Sequence, residues 1–317
     1  MPRSKYPSLL RLPDCKLPYP SLLEFLSERF PNIPTEVWQD RISSGKVLDA
    51  SKDPIDLNFP YQPGAKLYYF REIEAEPPIP FGAEILFQDD DLLVADKPHF
   101  LPVTPGGKFV NECLLNRLKD ETGNPELTPL HRLDRHTAGV LLLSKRRETR
   151  EAYFGLFRHG RVSKRYEAWC HVPDELPNER RWDVRNRIED AEPWFLSRVV
   201  PGKPNAHSKI ELLDIREGRP SKLEQPQNNL ESSILNLESA YGHFGLEPVT
   251  GKKHQLRLHL SNLGFPIVND RFYPELLPEG PDDFTKPLQL LAKSIAFTDP
   301  LSAEPRCFET RRKLLGT

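Results

Sequence analysis

The stretch HRLDRHTAGVLLLSK, residues 131–145, joins a cluster of charged side chains directly to an apolar run. The run AGVLLLS predicts a β-strand buried on both faces, since short continuous apolar runs suit strands inside a covered sheet. A buried strand usually follows a turn of small polar residues. This one follows five ionisable residues, which are His131, Arg132, Asp134, Arg135 and His136.

Two interpretations of Asp134 remain open from these residues alone. A lone aspartate between basic residues is commonly part of a structural salt bridge. The alternative is a catalytic carboxylate, because a neighbouring arginine lowers the pKa of an aspartate and keeps it ionised, as a nucleophile or a base requires. A position just before a buried strand would give such a group a rigid mount.

The composition is typical of a soluble globular protein with room for two domains. Of the 317 residues, 28% are charged and 38% hydrophobic, and the formal net charge is −2. No apolar segment approaches the ~20 residues that a membrane span requires, and prolines interrupt the start of the chain too often for a signal peptide. We expect a cytoplasmic protein with no membrane partner. Basic clusters such as RHGRVSKRY (158–166) leave nucleic acid as a candidate partner.

Motif spacing argues against several classes of site. His131, Asp134 and His136 match no common zinc pattern, and the neighbouring arginines would repel a cation, so no metal is predicted. The four cysteines are far apart and are predicted to be reduced thiols. GLEPVTGKK (245–253) has one residue too many for a phosphate-binding loop, and neither GxGxxG nor GxSxG occurs.

Residues 1–75 and 76–317 are predicted to form two domains, joined by the proline-containing segment AEPPIP (75–80). In the first domain, two segments with helical periodicity predict helices capped by Ser21 and Thr35. In the second, strands dominate without a regular β-α-β alternation, which favours an α+β fold over a doubly wound sheet. VNECLLNRLKDETG (110–123) predicts a helix, and the polar residues 214–234 predict a mobile loop.

Two further segments carry candidate functional residues. RVSKRYEAWCHV (161–172) alternates as a strand that places Lys164 and Tyr166 on one face. KKHQLRLHLSNLG (252–264) predicts a helix capped by Thr250, on which His254 and Arg257 share a face. Each segment also has an ordinary structural interpretation, namely a core tyrosine with a satisfied hydroxyl and a surface arginine.

In chain order, five segments resemble the RluA-type RNA pseudouridine synthases. They are LLVADKPHFLPVTPGG (92–107), HRLDRHTAGVLLLSK (131–145), VSKRYEAW (162–169), TGKKHQLRLHLSNLGFPIVNDRFY (250–273) and LQLLAKSIAFTDP (288–300). The resemblance spans about residues 80 to 302, and residues 1–75 resemble the small RNA-binding module often fused to such enzymes. It implies a catalytic domain of pseudouridine synthase type, with a mixed, largely antiparallel sheet and flanking helices.

The resemblance also implies the roles of three residues. Asp134 matches the essential aspartate of the HRLD motif, Tyr166 the tyrosine of the K-x-Y strand, and Arg257 the arginine of the HQ-I/L-R helix. The implied reaction converts uridine in RNA to pseudouridine without a cofactor, with Asp134 as nucleophile on the ribose or as base in a glycal route. Arg257 would hold that carboxylate. Tyr166 would stack on the freed uracil and assist removal of the C5 proton.

The implied substrate is a uridine in a loop or bulge of rRNA or tRNA, flipped out of its stack into the cleft. Residues around the catalytic positions are then predicted to contact RNA: Arg132, Arg135, Lys164, His254 and Gln255. We expect a monomer. A rival interpretation is a catalytically silent RNA-binding or RNA-chaperone protein on the same fold, and the intact set of three catalytic residue types argues against it.

The chain departs from the family pattern near the arginine helix. Lys252 and Lys253 stand where Arg-Thr is common, and Asn269 stands where Gly-Asp is usual. These departures change the surroundings of Arg257 and leave the three catalytic residue types intact.

Overall fold

The computed structural model of the chain describes residues 3–14, 19–173, 178–216 and 240–314. The chain divides into two compact units, Met1–Pro78 with Pro105–Asn116, and Ile79–Thr104 with Arg117–Thr317. In the described ranges, no helix is long and apolar enough to cross a membrane.

The first unit combines two short helices with a small antiparallel sheet around one core. Its elements are β1 (Ser8–Arg11), α1 (Leu22–Arg29), α2 (Thr35–Ser43), β2 (Val47–Leu48) and β3 (Lys66–Tyr69), with β3 between β1 and β2. Ser21 caps α1 as predicted, because its hydroxyl accepts from the backbone N–H of Glu24 at 3.1 Å. The predicted cap by Thr35 is wrong: Pro34 precedes α2, and the Thr35 hydroxyl lies 3.0 Å from that of Ser27.

The chain also contains a much larger sheet and three further helices. The strands are β4 (Glu84–Gln88), β5 (Leu92–Lys97), β6 (Thr128–Pro129), β7 (Ala138–Ser144), β8 (Ser163–His171), β9 (Arg181–Asp190), β10 (Ser197–Val200), β11 (Ala206–Arg216), β12 (Tyr241–Pro248), β13 (Leu290–Thr298) and β14 (Pro305–Glu309). The helices are α3 (Leu114–Thr122), α4 (Arg150–Arg158) and α5 (Gln255–Asn262).

The large sheet is mixed but mostly antiparallel. Its strand order is β10-β9-β11-β12-β8-β13-β7-β5-β4, with β14 also paired to β13 and β6 to β7. Strands β7 and β13 run parallel, and the other pairs among the described residues are antiparallel. The predicted α+β fold with a mixed, largely antiparallel sheet is confirmed.

Strand β7 lies inside this sheet, between β5 and β13, and all seven of its residues are buried. Leu142 packs in one cluster with Tyr153 and Leu156 of α4, which cover one face of the strand. The prediction of a strand buried on both faces is confirmed. A buried strand of leucines gives the segment before it a rigid base.

Gly139 allows β13 to approach β7 closely. Its φ of +115° is a conformation that side chains disfavour, and a Cβ at this position would overlap the backbone carbonyl of Ala292 on β13. The glycine that follows Thr137 and Ala138 therefore fixes the distance between the two parallel strands.

One row of residues crosses the centre of the sheet on adjacent strands. Lys97 on β5 pairs with Gly139 on β7, and Gly139 pairs with Ala292 on β13. On the other side, Ala292 pairs with Tyr166 on β8, and Tyr166 pairs with Leu246 on β12. The row brings Tyr166 into the neighbourhood of the start of β7, although the two are far apart in the sequence. Asp134 lies five residues before Gly139 in the same region.

Three predicted boundaries need correction. The helix expected over 110–123 begins only at Leu114. Residues 214–216, expected in a loop, continue β11, and residues 217–234 of that expected loop lie outside the described part of the chain. Thr250 does not cap α5; the residue before the helix is His254, in the left-handed region with a φ of 57°.

Candidate active site

Asp134 lies in the turn that leads into β7. The backbone N–H of Thr137 donates to its carbonyl oxygen at 3.1 Å, which closes the turn. Its side chain is about one-third exposed, with 32% of its surface accessible. Asp134 Oδ2 is 3.6 Å from Arg257 Nη1 and 3.9 Å from His254 Nε2. The structure thus brings together three predicted site residues from segments more than 100 positions apart.

Arg257 is buried on α5 and held by a second carboxylate, that of Asp270. Its Nε donates to Asp270 Oδ2 at 2.8 Å and its Nη2 to Asp270 Oδ1 at 2.5 Å. Asp270 Oδ1 also accepts from the backbone N–H groups of Phe272 and Tyr273, at 2.8 and 3.2 Å. The guanidinium lies over the Phe272 ring, 4.6 Å from its centroid. These contacts fix the plane of the guanidinium and leave one edge toward Asp134.

The Nη1 atom at that edge is buried and has no hydrogen-bond partner among the described residues. Its 3.6 Å distance from Asp134 is too long for a hydrogen bond. A buried donor without a partner is costly in a folded protein and marks places where a ligand or a small movement completes the bonding. Arg257 therefore has a donor available for Asp134 or for a group bound beside it.

The surrounding charges keep the Asp134 carboxylate ionised. Enclosure in the site opposes ionisation, but the interactions with His254, which is charged only in acid, and with Arg257 outweigh it and lower the pKa of Asp134 below its usual value. Burial lowers the pKa of His254 to about 4, so this imidazole is neutral at neutral pH. Burial also opposes the charge of Arg257, yet the bonds to Asp270 and its negative charge raise the pKa of that arginine. Arg257 is therefore the cation that stabilises ionised Asp134 at neutral pH.

Tyr166 lies on β8 beside this centre, half-buried against the core below α5. Burial raises the pKa of its phenol above the ordinary value, and the negative charge of Asp134 adds to the effect. The hydroxyl is therefore protonated at neutral pH. Its ring offers a flat apolar surface next to the carboxylate.

Three other ionisable residues before β7, which are His131, Arg135 and His136, make hydrogen bonds that hold the local structure. Burial lowers the pKa of His131 to about 3, and its neutral Nε2 accepts from the backbone N–H of Leu142 at 3.1 Å. Arg135 donates to both carboxylate oxygens of Asp282 at 2.7 Å, and its Nη2 lies 2.7 Å from His136 Nε2. Arginine can only donate, so this nitrogen of His136 accepts, in agreement with a pKa lowered by burial.

The predicted RNA contacts differ in how free their side chains are. Arg132 is exposed, and Lys164 is half-buried, with a pKa lowered by burial. Gln255 is buried: its amide nitrogen donates to the His207 carbonyl and the Ser208 hydroxyl, and its oxygen accepts from the Thr250 hydroxyl. Those bonds tie the start of α5 to β11.

Sequence reasoning missed Asp270 and Lys97. Asp270 follows Asn269, and its partner Arg257 is 13 residues away, outside helical spacing. Lys97 is fully buried, and its Nζ donates to the carbonyl oxygens of Pro98, Leu101 and Arg135, at 2.9, 2.8 and 3.1 Å. It thereby supports the backbone directly after Asp134. A charged residue at the end of the apolar run LLVA was the available signal for Lys97.

Within the described ranges, no group of three or more His, Cys, Asp or Glu side chains is arranged to hold a metal ion. The site combines an ionised carboxylate, an arginine that lies between this carboxylate and a second one, and an adjacent aromatic ring. Such a set can attack or deprotonate a sugar, and can hold a planar base in place.

Comparison with known proteins agrees with this arrangement. Residues 91–262 match the RNA pseudouridylate synthase family, a region that contains Asp134, Tyr166 and Arg257 and covers more than half of the chain. The chain belongs to this family and is an RNA pseudouridine synthase, an isomerase. The predicted RluA-type family and its activity are confirmed.

Individual relatives are similar over most of the chain. An uncharacterized RNA pseudouridine synthase of Synechocystis sp. is 31% identical over 255 residues, which are 80% of this chain and 79% of that protein. The dual-specificity RNA pseudouridine synthase RluA of Vibrio parahaemolyticus is 29% identical over 240 residues, which are 73% of this chain and 83% of that protein. The solved structure of human RNA pseudouridylate synthase domain containing 1 superposes with a TM-score of 0.56 at 20% identity, over 75% of this chain and 86% of that one. At that identity the likeness shows the fold.

Proposed function

We propose that Asp134 is the catalytic carboxylate that isomerises a uridine in rRNA or tRNA. The observation that carries this role is the partly exposed carboxylate 3.6 Å from the guanidinium of Arg257, which is itself fixed by Asp270. Its lowered pKa keeps Asp134 ionised at neutral pH. An ionised carboxylate is what both routes to pseudouridine require.

In the first route, Asp134 attacks the ribose carbon C1′ while the bond from C1′ to uracil N1 breaks, and the electron pair leaves with uracil. In the glycal route, Asp134 removes the proton from C2′ as the same bond breaks. Uracil then rotates and its C5 bonds to C1′. In the first route the bond between C1′ and the Asp134 oxygen breaks as this bond forms, and in the glycal route the proton held by Asp134 returns to C2′. The proton on C5 is then lost and N1 takes up a proton. Atoms are rearranged and none is added, so neither route needs a cofactor.

Arg257 and Tyr166 have complementary roles in this proposal. Arg257 holds the carboxylate and stabilises negative charge beside it, since its Nη1 has no other partner among the described residues. The Tyr166 ring stacks on the uracil while it turns. The raised pKa of Tyr166 makes its phenolate scarce at neutral pH, which favours stacking over a role as the base at C5.

RNA contacts are proposed for three side chains near the site, which are the exposed Arg132, the half-buried Lys164 and the buried His254. Arg132 and Lys164 would bind phosphates, and His254 would lie against the flipped nucleotide next to Asp134. Arg135 and Gln255 have their side chains engaged by Asp282 and by the start of α5, so we assign them structural roles. We further propose a monomer that acts in the cytoplasm on a stem-loop of rRNA or tRNA.

Mapping of pseudouridines in total RNA tests the substrate class. Cells without the gene should lose modification at one or a few uridines of rRNA or tRNA, and the wild-type gene should restore it. Restoration by wild type but not by Asp134→Asn would assign the loss to catalysis. An unchanged map would contradict the proposed substrate class, and restoration by the Asn variant would favour the rival RNA chaperone.

A separate proposal is that the domain over residues 1–75 binds RNA. It contains ten Lys and Arg against ten Asp and Glu, a net charge of zero, so binding should depend on particular residues rather than on overall charge. Arg11 and Lys66 are exposed and opposite each other on β1 and β3. The double variant Arg11→Glu/Lys66→Glu should weaken RNA affinity and leave the rate at saturating RNA unchanged. Equal affinity of variant and wild type at matched salt would count against this role.

A further inference from the structure

The hairpin of β9 and β10 exposes a large aromatic side chain at its tip, residues 191–196. Trp194 is 75% exposed, whereas Trp38 and Trp169 are fully buried. The ring of Trp194 therefore presents a large, flat apolar surface to solvent, where it is available for stacking.

The backbone of the tip is well ordered by hydrogen bonds. The N–H of Ala191 donates to the Leu196 carbonyl at 3.2 Å, and the N–H of Leu196 donates to the Pro193 carbonyl at 2.8 Å. Lys253 reaches across from the residues before α5: its Nζ donates to the Trp194 carbonyl at 3.0 Å and lies 2.6 Å from Asp190 Oδ1. Lys253 is one of the departures from the family pattern, and in this structure it holds the hairpin tip through Trp194 and Asp190.

The tip is continuous with the active site. The rings of Trp194 and Phe195 have centroids 5.9 Å apart, and those of Phe195 and Phe272 are 5.4 Å apart. Phe272 is the ring beneath the guanidinium of Arg257. At the base of the tip, the Tyr273 hydroxyl donates to the Ser197 carbonyl and accepts from its N–H. Trp194 is therefore the exposed end of a series of ring contacts that begins at Arg257.

The charge of the hairpin does not favour phosphate. Residues 181–200 contain four arginines and four acidic residues, for a net charge of zero. Three of the arginines pair with carboxylates on the same or the next strand, as Arg181 with Glu211, Arg185 with Asp183 and Arg187 with Glu189. The feature that the tip offers to RNA is a flat, apolar ring. A nucleobase is the part of RNA that such a ring binds.

We propose that Trp194 stacks on an unpaired base of the substrate RNA that lies near the target uridine in the chain. This inference rests on the proposed function, since a uridine at Asp134 brings its neighbouring nucleotides close to the hairpin tip. Lys253 is a positioning residue for the tip. The contact helps to select substrates with an unpaired nucleotide at that place.

Steady-state kinetics on the mapped RNA test the proposal with full-length variants. Trp194→Ala should raise KM by about 5- to 150-fold, the range for loss of one base–aromatic stack, with kcat unchanged. Trp194→Phe should retain most of the affinity because a ring remains. Since no phosphate contact is lost, the slope of log affinity against log salt should be the same in Trp194→Ala and wild type. Leu301→Ala, at an apolar residue 48% exposed elsewhere on the surface, is the matched control and should equal wild type.

Lys253 gives a second test through the position of the tip. Lys253→Met should raise KM by less than Trp194→Ala does, and Lys253→Arg should restore it. A Trp194→Ala variant with the KM of wild type would overturn the proposal, as would an altered salt slope. Failure of the proposed function would look different, because wild type itself would then form no pseudouridine in the RNA. If the exposed ring instead joins two copies of the chain, Trp194→Ala would abolish self-association and leave KM unchanged, which also overturns the proposal.

Discussion

Two carboxylates share Arg257, and they are treated in opposite ways. Asp270, in the turn after α5, has 1% of its side chain exposed and accepts from two guanidinium nitrogens and two backbone N–H groups. Asp134, in the turn before β7, is 32% exposed and meets the same guanidinium only at 3.6 Å. One carboxylate is fully used in holding the arginine, and the other is kept charged but free to react.

This difference separates structural from catalytic function within a single ion-pair network. Asp270 compensates the buried charge of Arg257, which would otherwise be strongly destabilising. Because Asp270 has taken two of the guanidinium's donors, the arginine stabilises the charge on Asp134 without engaging its oxygens in tight hydrogen bonds. The following predictions test whether the two carboxylates are as different as their contacts indicate.

The largest effect is expected from Asp134→Asn. The amide keeps the size of the side chain but cannot act as nucleophile or base, so the rate of pseudouridine formation should fall by roughly 10⁴-fold or more. The free energy of unfolding, measured by thermal denaturation, should change by about 1 kcal/mol or less, since the side chain is partly exposed and makes no tight ion pair. The rate is measured in a single turnover with excess enzyme. Activity within tenfold of wild type would rule out Asp134 as the catalytic carboxylate.

Asp270→Asn should reverse the pattern and act mainly on stability. Removal of this charge leaves Arg257 buried without its partner, which costs about 3–5 kcal/mol in the free energy of unfolding. Urea denaturation of the full chain measures it. Asp282→Asn is the matched control: it breaks the ion pair with the more exposed Arg135 and should cost about 1–2 kcal/mol. Equal losses in the two variants would show that burial does not distinguish the two ion pairs.

The close packing of β7, the strand that follows Asp134, against β13 is tested by a substitution at Gly139. Gly139→Ala places a methyl group against the Ala292 carbonyl, so it should destabilise by about 1–3 kcal/mol more than a positive φ alone accounts for. Gly160→Ala is the matched control, because Gly160 has a φ of +64° and an added Cβ there would meet no atom within 4 Å, so this substitution should cost about 1 kcal/mol. Unfolding midpoints of the two variants make the comparison. Similar values would mean that the approach of β7 and β13 is not critical.

The sequence predicted much of the site because its signals are local. The apolar run after Thr137 announces a buried strand, and alternation places Lys164 and Tyr166 on one face of β8. Helical spacing places Arg257 one turn from His254, and both do approach Asp134. Ordered resemblance to a known family then joined these three segments, which periodicity alone could not do.

The sequence could not predict contacts that depend on packing between distant segments. Asp270 lies in an irregular turn, where no periodicity indicates which side chain it will reach. Gln255 reads as a polar residue on a helix, yet its amide is buried between α5 and β11. His254 was expected inside a helix capped by Thr250, but its left-handed backbone ends the preceding turn, so α5 begins only at Gln255. Each of these depends on how α5 docks on the sheet, which its own sequence does not encode.

The smallest effect is expected from pH, and it follows from the same contrast. The pKa of Asp134 is lowered, so the active carboxylate persists as pH falls and is lost only in acid, below the ordinary range of aspartate. Between pH 5.5 and 8, His254 stays neutral because its pKa is about 4, and Tyr166 stays protonated because the pKa of its phenol is raised. The single-turnover rate at saturating enzyme should therefore change by less than about twofold between pH 5.5 and 8. A rate that falls tenfold between pH 8 and pH 6 would mean that a histidine or a raised carboxylate, rather than an Asp134 held ionised by Arg257, controls the reaction.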